Sequence, residues 1–116
     1  MGGDGLKARL LAGAQEMGVE LDGAQAEAML RLTAELRDWN KRINLTAITA
    51  PADMVDKHLL DSLSVQPHLH GRRVADIGTG AGFPGLPLAI VNPRRSFTLI
   101  EATGKKCLFV RHAVEL

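Results

Sequence analysis

Asp76 and Glu101 each end a short β-prone run, and the first runs straight into a glycine-rich turn, Asp76-Ile77-Gly78-Thr79-Gly80-Ala81-Gly82-Phe83-Pro84-Gly85. Arg73 to Ile77 carry β-branched residues suited to a buried strand, and the glycines that follow admit backbone angles and close approaches that a Cβ forbids. Phe97-Thr98-Leu99-Ile100 reads as a second buried strand ending on Glu101. In alternating α/β chains ligands bind beyond the C-terminal ends of the strands. The pattern therefore predicts a cofactor turn with an acid at each strand end.

Two cofactor classes compete for that turn. Gly80-Ala81-Gly82-Phe83-Pro84-Gly85 satisfies GxGxxG, and Glu101 lies 21 residues beyond Gly80, near the expected ribose carboxylate of a dinucleotide site. Against a dinucleotide, Asp76 places negative charge where a pyrophosphate would sit, and Pro84 deletes a backbone donor at the helix start. The spacing Asp76-x-Gly78-x-Gly80-x-Gly82 suits S-adenosylmethionine, which has no phosphate and carries sulfonium and ammonium cations. Asp76 then favours the cationic methionine end, directly or through water. Glu101 can accept two hydrogen bonds from ribose hydroxyls, the glycines let the backbone approach, and Phe83 packs alongside. The residues favour S-adenosylmethionine and leave an NAD-type oxidoreductase as the alternative.

The elements that position these groups follow from periodicity. Met1 to Gly5 read as a flexible start; Leu6, Leu10, Ala14 and Met17 recur at helical spacing, and Gly18 can close the helix in a left-handed cap. Asp22 with Gln25 forms a capping box for a long helix whose stripe is Met29, Leu32, Leu36, Trp39 and Ile43. Trp39 reads as an anchor of that helix rather than a base-stacking surface. Asn44 to Thr49 break the period, and Pro51 opens a third helix to about Leu63 with Val55, Leu59 and Leu63 inward. Lys57, His58, Asp61 and Ser62 fall on another side of it. They form either an exposed Lys57–Asp61 ion pair beside a satisfied histidine, or a functional cluster. Residues 66–71 read as a surface connection whose histidines, His68 and His70, lack partners at metal spacing, so no metal is expected. Leu86 to Val91 form a short helix stopped by Asn92-Pro93, with Pro84 and Pro87 tolerated among its first positions, and Lys105 to Leu116 form the last helix.

The order predicts an α/β chain: an N-terminal helical region, 1–70, then a βαβα unit, 71–116, with parallel strands. The 116 residues suffice for one packed domain, and 46% apolar with 23% charged residues is an ordinary globular composition. Cys107, the single cysteine, cannot form an internal disulfide, which suits the reducing cytoplasm. No apolar run reaches the roughly 18 residues of a spanning helix, and the start lacks the unbroken apolar segment of a signal peptide, so no membrane association is expected. Net charge is +1, but residues 1–70 hold seven Lys/Arg against ten Asp/Glu and residues 71–116 hold seven against three. The basic second part points weakly to nucleic acid and equally to a solvated basic face.

Three ordered stretches carry a resemblance: Trp39-Asn40-Lys41-Arg42-Ile43-Asn44-Leu45-Thr46, Lys57-His58-Leu59-Leu60-Asp61-Ser62-Leu63, and the Asp76 to Gly85 turn. From about residue 20 to its end the chain resembles the RsmG family, also called glucose-inhibited division protein B, the bacterial guanine-N7 methyltransferases of 16S ribosomal RNA. The resemblance implies a Rossmann-like fold using S-adenosylmethionine, with the cofactor against Gly78, Phe83 and Glu101-Ala102-Thr103. It implies Asn44, His58, Asp61 and Ser62 close to the methionine end or the target base, and Lys105, Lys106, Arg94 and Arg95 as RNA contacts. Guanine N7 already offers a lone pair, so no catalytic base is assigned. The expected partner is 16S ribosomal RNA, free or within a ribosomal assembly particle. Family members continue beyond the position of Leu116, so the resemblance predicts only the first half of the sheet, with weak stability, self-association through an unpaired edge, or membership of a longer product. Ala50 also departs from the expected helix cap. A non-enzymatic RNA-binding module is the second alternative.

Overall fold

The computed structural model describes residues 3–116. Helix α1 spans Gly3–Glu16, so the expected flexible start is helical from Gly3, and Met1 and Gly2 lie outside the described residues. Gly18 ends it at φ +72°, where its amide donates to Gln15 O (3.0 Å) and the Val19 amide to Ala14 O (2.9 Å). Those two bonds make a Schellman closure, which a left-handed residue permits.

Helix α2, Gly23–Asn40, begins with the reciprocal box expected of Asp22 and Gln25: Gln25 N donates to Asp22 Oδ1 (2.7 Å) and Asp22 N to Gln25 Oε1 (3.0 Å). Such a cap contributes about 1 kcal/mol. Met29, Leu32 and Leu36 are buried on one stripe. Trp39 anchors the far end, edge-on to Phe109 at 5.6 Å and stacked on His112 at 5.0 Å. Asn40 stops the helix, its Oδ1 accepting from the amides of Leu45 (2.7 Å) and Thr46 (3.0 Å), so Ile43 lies past the helical stripe to which it was assigned.

Helix α3 covers residues 51–63 in three consecutive parts: Pro51–Met54 and Asp61–Leu63 are α-helical, and Val55–Leu60 between them is π-helical. Val55, Leu59 and Leu63 are buried as expected, and Ala50 gives no side-chain cap. The alternative Lys57–Asp61 ion pair is absent among the described residues; the widened turn offsets positions that an α-helix would align. Asp56 is the paired acid, receiving Arg9 of α1 at 2.9 Å (Nε to Oδ1) and 2.5 Å (Nη2 to Oδ2). Beside that clamp α1 lies so close that a Cβ on Gly13 would stand 2.5 Å from Leu60 Cδ1.

Strand β1 (Arg73–Ile77), helix α4 (Gly85–Val91), strand β2 (Ser96–Ile100) and helix α5 (Gly104–Val114) complete the chain. The strands pair in parallel from Arg73 with Ser96 to Ile77 with Ile100, giving the expected α/β class. Pro84 caps α4 and Pro87 falls in its first turn, where their missing amides cost nothing. The strands are not buried as the sequence implied. Each alternates exposed and half-buried, with Ile77 78% and Ile100 49% exposed, because the described elements cover one face of the sheet only. On the covered side Leu36 and Met54 pack with Leu86 and Phe109, and Phe83 touches this cluster as well as the α1–α2–α3 cluster around Leu10, Met29 and Leu59. Each such buried side chain contributes about 1.5–3 kcal/mol. Among the described residues no helix is long and apolar enough to cross a membrane.

Candidate cofactor site

The turn after β1 is built by its glycines in two different ways. Gly78 and Gly80 have φ of +71° and +64°, and a Cβ on either would meet nothing within 4 Å. Gly82, at φ +101°, would drive a Cβ into Leu86, and a Cβ on Gly85 would come 2.9 Å from both Asp76 Oδ2 and Leu99 Cγ. The first pair therefore leaves an open backbone surface, and the second lets α4 press against the strand ends.

Asp76 and Glu101 hold this shape. Asp76 Oδ2 accepts from Thr79 Oγ1 (2.5 Å) and from the Gly85 amide (2.9 Å), tying the turn to the start of α4. Glu101 Oε1 accepts from the Gly80 amide (2.7 Å) and Oε2 from the Thr103 amide (2.8 Å). The carboxylate expected to serve a ribose is thus also a staple between turn and β2, with acceptor capacity still remaining. The Thr103 amide, then the Gly80 amide and the Thr103 hydroxyl, hold the Glu101 carboxyl below the usual carboxylate range. Because the folded value is depressed, this contribution to stability is complete above the ordinary glutamate pKa and disappears as pH falls through the lower folded value. A pH titration followed by carboxyl NMR is expected to place the Glu101 midpoint below that of an unpaired glutamate; a midpoint at or above it would refute the staple.

The residues expected from α3 divide. His58, half-buried, stacks on Phe83 with ring centroids 4.7 Å apart and planes at 20°, and its Nε2 lies 3.0 Å from Thr46 Oγ1. Burial pushes the imidazole pKa below its ordinary value, the nearby Asp61 charge acting in the opposite direction, which favours the uncharged ring. Asp61 is exposed at the same end, whereas Ser62 is buried with its hydroxyl donating to the His58 carbonyl at 2.5 Å. Asn44 is exposed; with Thr46, Thr103, Lys105 and Lys106 it lines a groove of about 440 Å³. Ala102 is exposed just beyond Glu101. Arg94 and Arg95 precede β2 and stand at the opposite end of the strand from the turn. A larger open cleft of about 1000 Å³, between the α1–α2 connection and Gln66, contains none of the expected site residues.

Sequence reasoning missed Thr79, the Gly85 amide and Thr46. A hydroxyl three residues after Asp76 was a usable local signal for the first; the contact of Thr46 with His58 had none.

The sequence matches the family model for rRNA small subunit methyltransferase G over residues 25–116. The chain belongs to this family. It is similar to the ribosomal RNA small subunit methyltransferase G of Methylococcus capsulatus, 53% identical over 102 residues, which is 88% of this chain and 50% of the relative. The protein of that name from Haemophilus influenzae is 42% identical over 109 residues, 94% of this chain and 54% of the relative. That from Pseudomonas syringae pv. tomato is 49% identical over 100 residues, 86% and 47% respectively. The chain spans about half the length of the curated relatives it matches. In family terms, the matched segment contains all but the first two residues of α2, the whole of α3, both strands and the whole glycine turn.

Proposed function

We propose that this family member methylates N7 of a guanine in 16S ribosomal RNA with S-adenosylmethionine, in the cytoplasm, acting on the RNA alone or within an assembly particle. In this reading residues 1–70 form an N-terminal helical region, and residues 71–116 form the first half of the Rossmann-like methyltransferase domain. The observation that carries it is the open glycine face at Gly78 and Gly80 between two carboxylates at adjacent strand ends. Those residues fit the cofactor: Asp76 presents negative charge to its cationic end, Gly78 and Gly80 allow close approach, and the spare lone pairs of Glu101 suit ribose hydroxyls. Ala102 and Thr103 would border the same group, with Phe83 beside it.

When bound, S-adenosylmethionine supplies an electrophilic methyl group on a sulfonium sulfur. Held against Gly78 and Gly80 between Asp76 and Glu101, the cofactor would supply that methyl group to the free lone pair of guanine N7 and would leave as the neutral thioether. No proton leaves N7, so the chain needs no general base, and the stacking of His58 on Phe83 accords with a positioning role. Holding the guanine in line can supply up to about 7–11 kcal/mol of the barrier reduction.

The test incubates the protein with methyl-labelled S-adenosylmethionine and 16S ribosomal RNA, then reduces the RNA and cleaves it with aniline, which cuts at N7-methylguanine. Label incorporation with a discrete scission is the expected result. Binding of NAD without binding of S-adenosylhomocysteine would replace the reading by an oxidoreductase. RNA binding with neither methylation nor cofactor affinity would replace it by a non-enzymatic RNA module.

A further inference from the structure

The groove beside the glycine turn has two walls, and each is tied to that turn through a different set of contacts. On one side Thr46, on the 44–47 loop, reaches His58 Nε2 at 3.0 Å, and His58 stacks on Phe83 within the turn. Thr46 is itself fixed: its amide donates to Asn40 Oδ1 at 3.0 Å and its Oγ1 accepts from the Ile48 amide at 3.1 Å. On the other side the Thr103 amide donates to Glu101, whose second oxygen takes the Gly80 amide. Lys105 and Lys106 stand on this second wall, and Asn44 and the two threonines add amide and hydroxyl groups.

We propose that this groove seats a single-stranded segment of the RNA substrate, and that its walls couple RNA binding to cofactor binding, with His58 as the positioning residue of one wall. This rests on the methyltransferase reading. The chemistry suits RNA because two cations can meet phosphate while the polar groups beside them can meet ribose hydroxyls and base edges. The coupling follows from shared partners. A ligand that draws Thr46 and Thr103 toward itself shifts the groups that hold Phe83 and Gly80, and any such differential affinity acts equally in both directions. His58 acts through its stack on Phe83, setting where that ring lies.

The experiment measures the dissociation constant of S-adenosylhomocysteine by calorimetry, without and with saturating 16S ribosomal RNA. In the unaltered protein RNA is expected to tighten cofactor binding about fivefold or more. Thr46→Val and His58→Gln should each bring the ratio of the two constants toward one, a readout internal to each variant and independent of its stability. Replacing Lys105 and Lys106 together by glutamine should weaken RNA binding and lower the slope of log affinity against log salt by about 1–1.5. A ratio of one in the unaltered protein, or an undiminished ratio in both Thr46→Val and His58→Gln, overturns the coupling. Unchanged RNA affinity in the double lysine variant overturns the groove. Absence of S-adenosylhomocysteine binding in the unaltered protein is a different result, and sinks the methyltransferase reading itself.

Discussion

Gly82→Ala is expected to lower folding stability by about 2–6 kcal/mol, combining about 1–3 for forcing alanine into a glycine-only backbone conformation with about 1–3 for overpacking. Both terms are visible at this position. The φ of +101° lies beyond the left-handed helical well, and the new Cβ would sit 2.9 Å from Leu86 Cγ and closer still to Leu86 Cδ1. Leu86 is buried against α2 and α5, so moving it aside disturbs that packing. Gly78→Ala is the internal control: at φ +71° with open space around it, strain of about 1–2 kcal/mol is the only cost to folding. Its Cβ would instead project onto the exposed backbone face, so affinity for S-adenosylhomocysteine should fall while the fold survives. Urea denaturation of the two variants separates these effects, and a Gly82→Ala midpoint no lower than that of Gly78→Ala would show that the turn is not packed as described.

Asp76→Ala has the next largest expected effect, and it acts on stability and binding together. Its Oδ2 is the acceptor for the Gly85 amide and the buried Thr79 hydroxyl, and each donor left unpaired costs about 1–3 kcal/mol. A loss of roughly 2–6 kcal/mol follows, visible as a fall in thermal midpoint of some 10 °C or more at the usual scaling for a domain of this size. Asp76→Asn retains an acceptor oxygen and removes the charge. It should recover most of the stability while weakening S-adenosylmethionine by about tenfold more than S-adenosylhomocysteine, because only the former carries the sulfonium; tenfold corresponds to about 1.4 kcal/mol. Equal weakening of both ligands by Asp76→Asn would mean that the carboxylate does not face the sulfur.

Features encoded within a few residues were legible in the sequence. The capping box at Asp22, the left-handed end at Gly18, the strand at Arg73–Ile77 and the stop at Asn92 all depend on neighbours in the chain, and the structure has each of them. Features set by distant partners were not. The π-helical segment of α3 sits where Arg9 clamps Asp56 and Gly13 admits Leu60, contacts made by another helix. The strands read as buried because their composition is apolar, but burial depends on what covers the second face. At the site, the glycine spacing and the two acids were visible, whereas the assignment of Glu101 oxygens to the Gly80 and Thr103 amides emerges only when β1 and β2 stand side by side. The His58 stack on Phe83 likewise needs α3 and the turn to meet.

Where the sheet ends, the Ile100 carbonyl accepts from two successive amides, Gly78 at 2.8 Å and Thr79 at 3.1 Å. The last rung of the ladder is therefore also the first bond of the turn. Four glycines would ordinarily give such a segment a broad conformational ensemble, and a ligand would have to select one member of it. Here the Gly78, Thr79, Gly80 and Gly85 amides are all engaged, so folding has already narrowed that ensemble. The turn is preorganised, and the entropic cost of ordering it falls on folding instead of on association.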